Sequence, residues 1–247
     1  MSQDKFALGM VEYKEEDFNS TPDLDSYQYS LFGKYLTGKA LELGAGAGRI
    51  SKLVVGNLNV SEIVLSEPSA YFFDHLVKQV PKSSKLKCIQ GQSGELVGKY
   101  SNYFDCVYSV DVMEHIENDK RFLNECYEML KSGGLCIVLV PAVQFLYSNL
   151  DKSIGHYRRY DKSLVKKTIA ETPFIIESMS YNNFVGFLAS LWYIKIKKLD
   201  YQSPSNKKQF MFLARVYSRY VIPIVQFVER VVPVPIGLNL TIILRKK

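Results

Sequence analysis

Cysteine is scarce in this chain, and what there is forms no framework. Cys88, Cys106, Cys126 and Cys136 make no C-x-x-C pair and no zinc-knuckle spacing among the 247 residues, which excludes a disulfide-stapled mini-protein. Three of the four sit inside apolar runs, so buried, reduced thiols are expected. Long hydrophobic runs are also missing. The longest, Phe184 to Ile194, holds 11 residues, whereas a bilayer span needs about 18 to 20. The first residues, MSQDKFALGMVEYKEEDF, have no basic region followed by an apolar core. A signal peptide is therefore not seen, and a cytoplasmic location is expected. No internal repeat or low-complexity tract occurs. Acidic residues run short only towards the C-terminus: residues 195–247 carry 11 Lys and Arg against Asp200 and Glu229, within an overall formal charge of +6. A solvated basic face and a contact with an anionic partner, such as a membrane surface, both remain open for this part.

Aromatic and aliphatic residues are plentiful. With 14 Phe, 17 Tyr and 47% hydrophobic residues, the chain can bury enough area to offset its conformational entropy, which excludes general disorder. Length and composition predict one domain over residues 1–247. Apolar runs then alternate with helical segments. Strands are predicted at Lys39–Leu43, Glu62–Ser66, Leu86–Gln90, Phe104–Val110, Leu135–Val140, Phe174–Tyr181 and Leu238–Leu244. Helices are predicted at Gly48–Val55, Ser69–Val80 and Asn118–Leu130, the last ending at Ser132-Gly133-Gly134. Continuous apolar strands such as LCIVLV, separated by helices, indicate a parallel sheet covered on both faces. Residues 1–38 are expected to form an N-terminal helical cap and 183–237 a helical insertion before the last strand. Ser203-Pro204-Ser205-Asn206 is the best candidate for an exposed turn or linker.

After the first strand comes Glu42-Leu43-Gly44-Ala45-Gly46-Ala47-Gly48-Arg49. Glycines permit a tight strand-to-helix turn and close approach of backbone to a ligand. The spacing is G-x-G-x-G, not the G-x-G-x-x-G of dinucleotide binders. Glu42 precedes it, and Glu67 ends the second strand at the place where a carboxylate can accept both hydroxyls of an adenosine ribose.

ELGAGAG, LSEPS, FDCVYSVDVMEHI and LKSGGLCIVLVP, spread over residues 39–141, resemble the motifs of class I S-adenosylmethionine-dependent methyltransferases. The resemblance implies a Rossmann-like, seven-stranded, mostly parallel sheet with an antiparallel last strand. It implies S-adenosyl-L-methionine as cofactor and S-adenosyl-L-homocysteine as product. Cofactor contacts then fall on Glu42, Gly44, Ala45, Gly46, Gly48, Arg49, Glu67, Pro68, Gln92, Ser93, Val110 and Asp111. Gln92 and Ser93 stand where the family often has an acid near adenine N6; an amide oxygen can replace it there.

Ligands of open parallel sheets lie beyond the carboxyl ends of the strands, so the acceptor is expected over the loops after strands four and five. The second of these contains Gly155-His156-Tyr157-Arg158-Arg159-Tyr160, similar to a GHYRRY segment in a subset of these methyltransferases. Tyr157, Arg158, Arg159 and Tyr160 are candidate acceptor residues. Adjacent arginines in an extended segment point to opposite sides, so one is expected to reach the pocket. The alternative is a structural turn with arginine salt-bridged to Asp151 or Asp161. His156 and His115 are candidate bases, because their ordinary pKa suits proton removal from a hydroxyl near neutral pH. A carboxylate acceptor needs no base and an arginine instead.

These features point to O-methylation of a carboxylate or hydroxyl on a natural product, peptide or glycan. The alternatives are N-methylation of a small amine and a non-catalytic cofactor- or RNA-binding module. Nucleic acid is disfavoured: Ser109-Val110-Asp111-Val112 replaces the tetrapeptide of amino-group DNA methylases, and no reader fold accompanies the basic tail. No metal is expected, since neither clustered acids nor a His and Cys spacing is apparent. Phe184, Phe187, Leu188, Leu191, Trp192 and Ile194 leave several roles open: core, lid, dimer face, or membrane anchor beside Lys195.

Overall fold

The computed structural model describes residues 22–196 and 212–247. Seven strands form one sheet: β1 (Gly38–Leu43), β2 (Val60–Glu67), β3 (Leu86–Gln90), β4 (Phe104–Val110), β5 (Leu130–Pro141), β6 (Ile175–Asn182) and β7 (Asn239–Arg245). Their order is β3-β2-β1-β4-β5-β7-β6. All pairings from β3 to β5 are parallel, and β7 runs antiparallel to both β5 and β6.

The continuous apolar strands have a direct cause. Successive strand residues point to opposite faces, and here both faces are covered. Leu41, Val64, Val107 and Val138 join one buried cluster, while Ala40, Ile63, Cys106 and Ile137 join another. The connecting helices are α1 (Pro22–Phe32), α2 (Ser51–Val55), α3 (Ala70–Gln79), α4 (Ser93–Val97), α5 (Asp119–Met129), α6 (Asn149–Ser153), α7 (Lys162–Ala170), α8 (Phe184–Leu191) and α9 (Ile222–Glu229). All four cysteines are free; three are buried and Cys88 is half-buried.

One boundary departs from the sequence expectation. The helix after β4 ends at Met129, and Leu130 already pairs with Phe104 in β5, before a register shift leads to Leu135 opposite Cys106. The Ser132-Gly133-Gly134 segment is therefore part of β5 and does not close the helix. Gly133 takes φ +76° and its N–H donates to the Lys246 carbonyl, so the far end of the chain fixes this irregularity.

The N-terminal cap is described only from Pro22 onwards, as α1. Tyr27 on α1 donates to Glu229 at the end of α9, and Tyr27 packs with Ile222 and Val225. Glu229 also accepts from the backbone N–H groups of Asn183 and Phe184 at the start of α8. The first described helix and the insertion are thus joined. Ser190 and Ile194 turn towards the sheet's carboxyl end, while Val185, Leu188 and Trp192 are exposed. The Ser203–Asn206 turn lies outside the described residues. No helix among them is long and apolar enough to cross a membrane.

Candidate active site

A cavity of about 850 Å³ opens at the carboxyl ends of β1, β2, β4 and β5. It lies at the point where the strand order reverses between β1 and β4, the position that open α/β sheets use for ligands. The glycine loop forms one wall. Gly44 and Ala45 donate backbone N–H groups to the Ser66 carbonyl at 2.8 and 2.9 Å, which ties the loop to β2. Glu67 accepts from Gly46 N–H at 2.8 Å and from Ser69 N–H at 2.9 Å. A Cβ built on Gly46 meets nothing within 4 Å, although its φ is +55°. The loop thus leaves clear space at its backbone on the cavity side, and glycine is the residue that tolerates the conformation.

Glu42 lies beneath the loop, 3% exposed. Its carboxylate accepts from Ser51 Oγ at 2.6 Å and Tyr108 OH at 2.9 Å, yet burial outweighs both and pushes its pKa up to about 7. At the end of β4, Asp111 takes the left-handed φ of 54° and accepts from Gln28 Nε2 at 3.1 Å. Burial raises its carboxyl as well. Arg49 reaches back to Asp25, so α1 is clamped over the loop by two polar contacts. Opposite, Gln92 and Glu95 cap α4 reciprocally, and Ser93 donates to Glu125 on α5 at 2.6 Å.

The segment after β5 supplies the remaining wall. Asp151 is 1% exposed and is held by four donors: Ser148 N–H and Oγ on one oxygen, Arg159 Nε at 2.7 Å and His156 Nδ1 at 3.1 Å on the other. Burial pushes its pKa up, but these bonds prevail and hold it down to about 2. With Nδ1 engaged by a carboxylate, His156 turns Nε2 towards Glu114, 3.8 Å from Oε1. Glu114 is 0% exposed, and neither of its carboxylate oxygens has a hydrogen-bond partner among the described residues. His115 meets His156 edge to face at 4.6 Å, and burial, with His156 second, lowers its pKa to about 4.

Eleven of the twelve expected cofactor residues line this cavity. The exception is Gly48, which sits under the loop with Leu76 and Val80 against the place a side chain would take. Of the expected acceptor and catalytic residues, His115, His156 and Arg159 line the cavity. Tyr157, Arg158 and Tyr160 do not, for three different reasons. Tyr157 is 47% exposed, Arg158 donates to Asp119 and to the Glu117 carbonyl, and Tyr160 is fully buried with its hydroxyl 3.2 Å from Asp119. The two arginines do part to opposite sides, and the inward one is salt-bridged to Asp151.

Leu24, Arg121 and Glu125 also stand on the wall, and none of them belongs to a motif that would have marked it. Nor did any spacing announce that Glu114, His115 and His156 bring ligand atoms within 4.8 Å of one another. All of α5 and β5 separates them in the chain, and the metal-free site expected from spacing left this grouping out.

Comparison with known proteins agrees with the geometry. The model of a family described as a methyltransferase domain matches residues 41–138. A solved S-adenosylmethionine-dependent methyltransferase from Archaeoglobus fulgidus superimposes with a TM-score of 0.63 at 15% identity, covering 94% of this chain and 97% of that one. Residues 41–138 thus match a methyltransferase domain, and the chain shares the fold of a solved S-adenosylmethionine-dependent methyltransferase. Among individual proteins, it is 30% identical over 124 residues to the mitochondrial ubiquinone biosynthesis O-methyltransferase of Rattus norvegicus, covering 47% of this chain and 34% of the relative. It is 22% identical over 102 residues to the malonyl-[acyl-carrier protein] O-methyltransferase of Haemophilus ducreyi, covering 40% and 39%. The chain thus spans well under half the length of these relatives.

Proposed function

We propose that this protein transfers the methyl group of S-adenosylmethionine to a hydroxyl oxygen of a small-molecule, peptide or glycan acceptor. The observation that carries the reading is the Asp151–His156 pair in the cavity wall. A neutral hydroxyl is a poor nucleophile until its proton is made labile. Asp151 fixes the imidazole with Nδ1 as donor, which leaves a lone pair on Nε2 of a histidine that lines the cavity. His156 is thereby the group placed to make a hydroxyl nucleophilic, and Asp151 positions it. A carboxylate acceptor fits less well, because the inward guanidinium of Arg159 is already engaged by Asp151. Both relatives named above methylate oxygen by their descriptions, which supports the same reading.

The residues fit the cofactor through the clear space at Gly46, the adjacent Glu67 carboxylate and a cavity of the size that holds a small organic ligand. Glu67 would accept from the ribose hydroxyls, with the backbone of Gly44, Ala45 and Gly46 alongside the methionine portion. Gln92 and Ser93 would border the adenine, and Asp111 with Val110 would close the β4 side. When bound, the sulfonium supplies an electrophilic methyl carbon. Leu24, Leu150, Ile154, Ile194 and Leu238 give the cavity an apolar lining that excludes water from the transfer. The test is a panel of hydroxyl, carboxylate and amine compounds incubated with the full chain and methyl-labelled donor. Label in methyl ethers supports the proposal; label confined to methyl esters or N-methyl products overturns it.

A further inference from the structure

We infer that Glu114, His115 and His156 form a binding site for a divalent transition-metal cation, open on one side to the acceptor. The carboxylate is the first reason. Glu114 is completely buried, and neither oxygen has a hydrogen-bond partner among the described residues. A buried carboxyl group without partners is costly unless a cation or a proton satisfies it. The second reason is the imidazole. His156 donates Nδ1–H to Asp151, itself fixed by Arg159 and Ser148, and this carboxylate–histidine arrangement is the one that orients metal-bound histidines. The remaining nitrogen, Nε2, points at Glu114 Oε1 from 3.8 Å.

Geometry allows the closure. The ligand atoms of the three residues lie within 4.8 Å of one another. Tetrahedral bonds of about 2.0 to 2.1 Å place neighbouring donors roughly 3.3 Å apart, so side-chain adjustments of about 1 Å complete the site. Two imidazole nitrogens with one carboxylate suit zinc and its neighbours, not magnesium or calcium, which prefer oxygen donors throughout. Three protein ligands leave at least one position free, as in catalytic zinc sites.

The inference rests on the hydroxyl-methylation reading and deepens it. The acceptor hydroxyl would bind the cation at the free position and lose its proton to solvent at the open side of the cavity, before the methyl group moves. The oxygen lone pair then forms the bond to the methyl carbon, while the carbon–sulfur pair returns to sulfur. With the cation bound, the Nε2 lone pair of His156 is spent on the metal, and the cation in place of the imidazole would lower the hydroxyl pKa.

The experiment is a calorimetric titration of the chelator-stripped full chain with zinc chloride, alongside Glu114→Gln, His156→Gln, Asp151→Asn and His75→Gln. His75 lies on α3 away from the cavity and serves as control. One equivalent of zinc should bind the unaltered chain and the His75 variant. Affinity should fall at least 100-fold in the two ligand variants and about 10- to 100-fold in Asp151→Asn, as orienting carboxylates do. Cobalt(II) should give a visible absorption band that the ligand variants lose. Binding of S-adenosylmethionine by each variant confirms that it is folded, and two independent ligand variants guard against one failing to fold. Absence of stoichiometric zinc, or binding that survives both ligand substitutions, overturns the site. Zinc bound without any hydroxyl methylation would instead remove the acceptor reading and leave the site standing.

Discussion

Gly46 and Gly133 form an internal control for the cofactor site. Both lie in the left-handed region, at φ +55° and +76°, and a Cβ at either meets nothing within 4 Å. Only Gly46 borders the cavity. Alanine at either position should cost about 1 to 2 kcal/mol of backbone strain, which in a domain of this size lowers Tm by about 2 to 8 °C. The two variants diverge only when ligand is added. In Gly46→Ala the new methyl occupies space that bound S-adenosylmethionine needs, and a tenfold weaker Kd corresponds to about 1.4 kcal/mol. Ligand at about 100 times Kd stabilises the unaltered chain by about 2.7 kcal/mol, and tenfold weaker binding reduces this to about 1.4. Thermal or urea unfolding with and without S-adenosylmethionine reads both quantities. Gly133→Ala should keep the full ligand-induced stabilisation while Gly46→Ala loses half or more. An equal ligand-induced shift in the two variants would refute the placement of the cofactor against the loop.

Glu42 titrates near 7 because of burial, well above an ordinary carboxyl, so folding takes up a proton between these values. The ligand-free protein should lose stability as pH rises from about 4.5 to about 7, by up to roughly 3 kcal/mol from this group. Glu42→Gln should flatten that part of the urea-unfolding profile; an unchanged slope would show that the carboxyl is solvated. Arg158→Met should lower stability by about 1 to 3 kcal/mol through loss of its bonds to Asp119 and Glu117 while leaving the acceptor KM unchanged. Arg159→Met should lower kcat, because Asp151 loses a donor that fixes it against His156, with little change in cofactor affinity; a raised acceptor KM at unchanged kcat in steady-state kinetics would instead make Arg159 an acceptor contact. His156→Ala should lower kcat about 10²- to 10⁴-fold with a hydroxyl acceptor, and full activity would remove this histidine from the reaction.

The sheet was legible because both its faces are buried: each central strand is apolar at consecutive positions, and that pattern survives without tertiary information. The glycine loop with Glu42 and Glu67 was legible because a strand-to-helix turn that meets a ligand confines its chemistry to a short segment. The start of β5 was not. Ser132-Gly133-Gly134 looks locally like a helix stop, and only the pairing of Leu130 with Phe104 and of Gly133 with Lys246 makes it strand. The GHYRRY segment was half legible. Alternation separated Arg158 from Arg159, but composition could not tell that Tyr160 fills the core or that Asp119 claims Arg158. Gln28, Asp25 and Glu114 belong to the site through contacts across the fold. No local signal marks a helix whose Gln28 reaches Asp111, or a carboxylate buried opposite a histidine from beyond the next strand.

On the reading proposed above, the cavity at the carboxyl end of β1 and β2 binds S-adenosylmethionine, with Glu67 holding its ribose. Isothermal titration of the full chain and of Glu67→Ala with S-adenosylmethionine, S-adenosylhomocysteine and NAD tests it most directly. One site of micromolar affinity is expected for both sulfur compounds, weakened by about 1 to 3 kcal/mol in the variant, with no comparable binding of NAD. Tighter binding of NAD than of the sulfonium, or an affinity unchanged by loss of the Glu67 carboxylate, would contradict it.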